Sequence, residues 1–297
     1  MRTRKKRVLS ILLSLSIGTS GAIFLREHGK SLFMPRHEAV VSETNILLSW
    51  EGRTNVERGL PGICVSFDDG KVDNWFEYLR PLSDKYGAKF TLFVSAPDKL
   101  TNDELGKLKT MQTEGHEIGC HTWRHSSAID MVNADSYMEN EIIPWFEFMD
   151  KKGFKREEII SFAHPHGQEN GFLELKLVKE EYCQVLRLIN SGNPSLVFYN
   201  WRRDPLVKNH HPIYAWGIDR KHNLEDEEII KTLKKTQSEG LVLILYAHDP
   251  TPNPEGKDHR DYSVSPDRLE LIAKTARDLN LKFYQVRDLQ RQPSINN

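Results

Sequence analysis

The sequence predicts an α/β fold whose parallel strands close, or nearly close, into a barrel. Three observations carry this. Between about residues 61 and 290, short apolar runs alternate with longer amphipathic ones, the signature of successive βαβ units with right-handed crossovers. Glycine follows the last turn of several amphipathic runs (Gly87, Gly115, Gly153, Gly240), where the left-handed stop conformation suits it. Five of the apolar runs end in acids or histidines, and in a barrel such ends meet on one face. A chain of 297 residues accommodates one such barrel, which typically takes ~250 residues.

In chain order, Arg2–Arg7 form a basic cluster, and Val8–Leu25 then run without a charge. A basic segment followed by an apolar one marks export, with the basic end staying behind. Residues 1–30 are therefore expected to be a cleaved signal peptide or a retained anchor. The uncharged stretch is 18 residues long, short beside the ~20 of a spanning helix. Residues 31–60 are polar and irregular and are expected to form a linker or lid.

The strands are expected at Gly62–Phe67, Lys89–Ser95, Glu117–Cys120, Ile159–Ala163, Gln184–Ile189, Ile213–Gly217, Val242–Ala247 and Lys282–Val286. Helices are expected at Asn74–Tyr86, Asn102–Glu114, Ala134–Lys152, Glu225–Ser238 and Pro266–Leu279, with Thr101 and Ser265-Pro266 as starts. Residues 291–297 read as a tail. Loops 126–135, 190–212 and 250–265 are expected to face substrate.

Residues 1–30 hold seven basic residues and one acidic, a net of +6, which leaves −7 on the rest of a chain of formal net charge −1. So acidic a body lacks the basic footprint of nucleic-acid binding. Three cysteines, Cys64, Cys120 and Cys183, are an odd number in a large chain and read as small buried hydrophobes.

The polar strand ends carry the chemistry. His121 and His125 stand four apart, and both imidazoles reach one point if the chain turns as it leaves the strand. One carboxylate of the pair Asp68-Asp69 would complete a two-histidine, one-carboxylate metal site with open positions. Side chains of adjacent strand residues diverge, so the other carboxylate stays free as a base. A metal in such a site polarises a carbonyl and activates water. The leaving nitrogen of an amide needs a proton, and His248, ending the apolar strand 241–247, is placed to give it.

Ser66-Phe67-Asp68-Asp69-Gly70, His121-Thr122-Trp123-Arg124-His125 and Leu245-Tyr246-Ala247-His248-Asp249 resemble the first, second and fifth motifs of the polysaccharide deacetylases, carbohydrate esterase family four. Glu114–Cys120 resembles that family's approach to the histidine motif. The resemblance spans roughly residues 60–290. It implies a distorted (β/α) barrel of about seven parallel strands. It also implies Asp68 as catalytic base, His248 as catalytic acid, and Asp69, His121 and His125 as ligands of a divalent metal, zinc first, with cobalt or another divalent ion as alternatives. A backbone amide near His166 would help hold the oxyanion.

Two departures stand out. Where the family commonly has Arg-Pro-Pro-Tyr-Gly, this chain has Ala163-His164-Pro165-His166-Gly167. The arginine that steadies the aspartate is absent, and His164 is the candidate replacement. The acidic fourth motif reduces to Trp216–Asp219, with Asp219 tuning His248. His116, His210 and His211 read as structural or surface residues.

The expected activity is removal of N-acetyl groups from an amino-sugar polymer (peptidoglycan, chitin-like or exopolysaccharide) outside the cytoplasm, with membrane contact only through the N-terminal segment. The rivals are an acetyl xylan esterase on the same scaffold and a silent carbohydrate-binding protein. The missing arginine is the sole support of the latter.

Overall fold

The computed structural model describes residues 24–27, 30–33, 59–130, 132–189, 195–201, 212–254 and 256–289. The chain divides into two compact units, residues 1–45 and 46–297. In the first, strands β1 (Phe24–Glu27) and β2 (Lys30–Phe33) pair antiparallel, Phe24 against Phe33. Most of the uncharged segment 8–25, most of the lid 31–60, His210 and His211, and the tail lie outside the described residues. Among the described residues no helix is long and apolar enough to cross a membrane.

The second unit holds a barrel. Its strands are β3 (Gly62–Asp69), β4 (Phe90–Val94), β5 (Glu117–Cys120), β6 (Ser161–Ala163), β7 (Val185–Ile189), β9 (Ile213–Gly217) and β10 (Val242–Ala247), and β10 pairs back onto β3 to close it. All seven are mutually parallel. The closure is split at the strand starts. The short strand β13 (Lys282–Tyr284) lies parallel to the first half of β3, whereas β4 takes the same edge further on, from Val65. The two-residue β8 (Phe198–Tyr199) runs antiparallel to the start of β10.

Parallel strands covered on both faces read as continuous apolar runs, and all six residues of β10 are buried. The two-residue period separates two packed regions. Cys64, Phe93, Ala163, Ala215, Ile244 and Tyr246 fill the barrel interior. Their neighbours Ile63, Val65, Phe67, Leu92, Phe162 and Leu245 pack outward against the helices. These are α1 (Val72–Tyr86), α2 (Asn102–Thr113), α3 (Ala134–Tyr137), α4 (Ile143–Lys151), α5 (Gly171–Lys179), α6 (Asp226–Glu239), α7 (Lys257–Asp261) and α8 (Pro266–Asp278).

Local signals set the helix ends. Thr101 and Glu104 form a reciprocal capping box on α2, and Ser265 accepts from the Arg268 amide at the start of α8. The expected helix 134–152 is interrupted by a wide π-turn at Met138–Ile142. Pro144 follows it and has no N–H to give to the preceding turn. Helix α5 is not picked out by sequence periodicity. Nine residues give it little pattern, and its start rests on the Asn170 side chain, which accepts from Phe172 and Leu173 (3.2 Å each).

The three cysteines are buried and unpaired, and burial pushes the Cys183 thiol up to about 12. His116 is also a core residue. It stacks on Phe90 (5.6 Å) and accepts from that residue's amide, and burial lowers its pKa to about 4.

Candidate active site

The five polar strand ends gather at one mouth of the barrel. The ladder between β3 and β10 runs from Val242 opposite Gly62 to Ala247 opposite Phe67, and its next step sets His248 beside Asp68. On the other flank Asp69 pairs with Val94, and Val94 with Cys120. The His121 amide then donates to the Val94 carbonyl (3.1 Å). Alternation along β3 sends Cys64, Ser66 and Asp68 inward.

Asp69 breaks the alternation. Its φ is +83°, left-handed and uncommon for a residue with a side chain. Its carbonyl is pinned by the Ser95 amide (2.6 Å) and hydroxyl (3.1 Å). Thr122, His125 and His166 are left-handed too. Four such residues around one mouth place backbone strain at the candidate site, where strain typically collects.

The result is a triad. Asp69 Oδ1 lies 3.6 Å from His121 Nε2 and 3.3 Å from His125 Nε2, and the two imidazole nitrogens are 3.2 Å apart. Donor atoms held at ~2.0–2.2 Å around one tetrahedral ion stand roughly 3.3–3.5 Å apart. Among the described residues this is the one histidine, cysteine and carboxylate group whose atoms could share an ion. His121 Nδ1 sits 2.8 Å from the Ala163 carbonyl. That contact puts the proton on Nδ1 and leaves the Nε2 lone pair for an ion. Burial pushes both imidazoles below the ordinary histidine range, His121 strongly. The residues fit a divalent cation.

The turn that carries His125 is held by a residue sequence reasoning missed. Glu141, buried in the π-turn, accepts from the Arg124 amide (2.7 Å) and the Ser126 hydroxyl (2.6 Å). Its carbonyl accepts from Trp123 (3.0 Å). A proline inside a helical pattern, three residues after a glutamate, is the one sequence trace of this feature.

Asp68 is 4% exposed, and its two oxygens accept from Nη2 of fully buried Arg187 on β7. The guanidinium crosses the interior between the Phe93 and Tyr246 rings (5.1 and 5.2 Å). This corrects the expectation for His164. By the two-residue period His164 shares the helix-facing side of β6 with Phe162. It meets that ring edge-on (4.9 Å, 77°) and faces Glu174 of α5 (3.2 Å). The steadying cation comes from the next strand instead.

His248 ends β10 with Nδ1 2.6 Å from Asp219 Oδ2, and its amide donates to Asp219 Oδ1 (3.1 Å). Trp75 of α1 donates to its carbonyl (2.8 Å). Burial pushes this imidazole down, but the hydrogen bond and charge of Asp219, with Asp68 and Asp69 behind it, outweigh burial. Its pKa stands above the ordinary histidine value. The structure thus brings Asp219 to His248. His166 is exposed, its ring 4.5 Å from that of His125 and its Nε2 3.2 Å from the His125 carbonyl.

A closed parallel barrel with a two-histidine, one-aspartate group, a clamped carboxylate and a histidine–aspartate pair at its mouth has the groups of an acyl-removing hydrolase. Residues 56–174 match the family model described as polysaccharide deacetylase. The chain is 29% identical over 229 residues to the peptidoglycan-N-acetylglucosamine deacetylase of Bacillus cereus, covering 77% of this chain and 88% of that one. In fold it is similar to peptidoglycan deacetylase PdaC from Bacillus subtilis (TM-score 0.52, 16% identity, 79% and 92% covered). It is equally similar to the Bc1960 peptidoglycan N-acetylglucosamine deacetylase (TM-score 0.52, 18% identity, 78% and 89% covered). Residues 56–174 thus resemble the polysaccharide deacetylases, and the barrel is similar in fold to deacetylases of known structure.

Proposed function

We propose that the chain is a metal-dependent hydrolase that removes N-acetyl groups from an amino-sugar polysaccharide, with peptidoglycan first among the candidates. The observation that carries this is the convergence of Asp69, His121 and His125 within 3.6 Å beside a clamped Asp68 and a His248–Asp219 pair.

A divalent cation held by Asp69, His121 and His125, zinc or cobalt by the nitrogen and oxygen donor set, would lend Lewis acidity to the acetyl carbonyl and the attacking water. Asp68, oriented by Arg187, takes the proton from that water as its oxygen bonds to the acetyl carbon. His248 keeps Nδ1 on Asp219 and gives a proton from Nε2 to the nitrogen as the C–N bond breaks. Free amine and acetate leave. Each proton transfer contributes ~10²–10⁴-fold.

Two further readings belong here. The basic cluster and uncharged stretch of residues 2–25 support export, with or without a retained anchor. The name of the Bacillus cereus relative supports peptidoglycan as the polymer.

The test is acetate release from peptidoglycan, N-acetylglucosamine oligomers and acetylated xylan, with and without chelator. Asp69→Ala and His125→Ala should lose both metal and turnover. Asp68→Asn should keep the metal and lose turnover. Full activity in Asp68→Asn, or undiminished activity after complete metal removal, would end this reading, and release from xylan alone would move it to esters.

A further inference from the structure

One charged group at the mouth is not used by this chemistry. Lys221, on the turn Arg220–His222 that follows Asp219, places Nζ 3.6 Å from the centroid of the Tyr262 ring. Tyr262 is 48% exposed, and its ring stands edge-on to His248, centroids 5.1 Å apart at 87°. A cation this close to an aromatic face is attracted to it.

Both residues are held in place. Arg220 donates to the Ser263 hydroxyl (2.6 Å) and the Thr251 carbonyl (3.2 Å), which ties the turn to the strands β11 (Asp249–Pro250) and β12 (Ser263–Val264). The Tyr262 carbonyl accepts from the Asp249 amide (3.3 Å). Behind the turn, His222 lies so close to Gly217 that a Cβ there would come within 2.0 Å of its ring.

Lys221 makes no direct ion pair among the described residues. Asp68 is taken by Arg187, Asp219 by His248, Asp69 by the two metal-site histidines, and Asp249 by Asn74 and His259. Asp219, Asp68, Asp69 and Asp261 attract the amine from further off, and burial outweighs them and lowers its pKa. Among the described residues no carboxylate comes within ion-pairing distance of Lys221. A half-buried ammonium with free donors beside an open aromatic ring is suited to an anion carried by a sugar. The ring gives the pyranose a flat apolar surface and the ammonium pairs with its charge.

We propose that Lys221, seated on Tyr262, is a specificity residue that reads a carboxylate on the glycan near the acetyl group being removed, so that the substrate class is an acidic amino-sugar polymer. This rests on the deacetylase reading above. Peptidoglycan strands stripped of their stem peptides carry a free ether-linked carboxylate on every second sugar, whereas chitin-like chains offer Lys221 no partner.

The experiment compares kcat/KM for acetate release from peptide-free peptidoglycan strands and from a neutral N-acetylglucosamine pentamer, in wild type, Lys221→Met and Lys221→Arg. In parallel, binding of both glycans is titrated to metal-replete Asp68→Asn protein with Lys221 intact or replaced by Met. Loss of a charge-assisted hydrogen bond should lower the ratio of kcat/KM, acidic over neutral, roughly 10- to 100-fold in Lys221→Met. Lys221→Arg should restore most of it, and the binding preference should fall in step. An unchanged ratio, or an equal fall on both glycans, overturns the proposal. If wild type releases acetate from neither glycan, the deacetylase reading fails, and the binding preference alone then decides the role of Lys221.

Discussion

Replacing Arg187 tests the clamp on Asp68 and with it the assignment of the base. Arg187→Met keeps length and apolar volume inside the barrel but removes the guanidinium from both oxygens of a carboxylate that is 4% exposed. The Arg187 side chain is itself fully buried, so solvent screening does not soften the loss. Breaking a buried pair from one side typically costs ~3–5 kcal/mol, most of it the penalty of the charge left alone. For a domain of this size each kcal/mol moves Tm by ~2–4 °C, so the variant should melt roughly 6–20 °C below wild type. The double variant Arg187→Met with Asp68→Asn leaves no lone buried charge, and it should recover much of that loss while remaining inactive. Thermal unfolding followed by circular dichroism reads the stability, and acetate release reads the chemistry. A cost below about 1 kcal/mol with turnover retained, or no recovery in the double variant, refutes the clamp.

Three further outcomes follow from the same geometry. His248 has a pKa raised above its ordinary value through Asp219. Turnover that needs its proton should therefore fall as pH rises through that pKa, and Asp219→Asn should move this alkaline limb to lower pH in a kcat–pH profile. The stability this pair gives is full below the ordinary histidine value and lost as pH rises through the folded one. Glu141→Ala should loosen the turn carrying His125 and weaken metal affinity ~10–100-fold, as loss of a group orienting a metal ligand does, measured by competition with a chromophoric chelator. Gly119→Ala would bring a Cβ within 2.5 Å of the Phe93 ring. Overpacking of this kind should cost ~1–3 kcal/mol in urea unfolding and lower turnover as well, because Phe93 supports the Arg187 guanidinium.

The barrel was legible because its strands are short apolar runs, five of which end in acids or histidines. Glu117–Cys120, Ile213–Gly217 and Val242–Ala247 fall where the pattern puts them. Lys282–Tyr284 forms a strand but lies outside the closed ring, a matter of register that no local pattern encodes. The triad was legible because His121 and His125 are close in sequence and Asp69 ends a strand. The clamp was not. Arg187 stands alone in the run Val185–Ile189, and its partner is 119 residues away. A lone arginine inside an otherwise apolar strand is the signal that could have found it, since burying it demands an acid. His164 misled by lying in the right motif, although the two-residue period already turned it to the side of Phe162.

The site also shows how two adjacent aspartates acquire separate duties. Asp68 obeys the alternation of β3, points into the barrel and meets a guanidinium there. Asp69, one residue on, would by the same rule turn toward the helices, the side that Ile63, Val65 and Phe67 pack against. Its left-handed backbone, fastened by Ser95, swings it back across the strand end to His121 and His125. Like charges on neighbouring residues repel, and here each is given its own counter-charge from a different strand: Arg187 from β7 for one, a cation site built after β5 for the other. The separation of ligand from base is thus set by one backbone angle and one distant arginine.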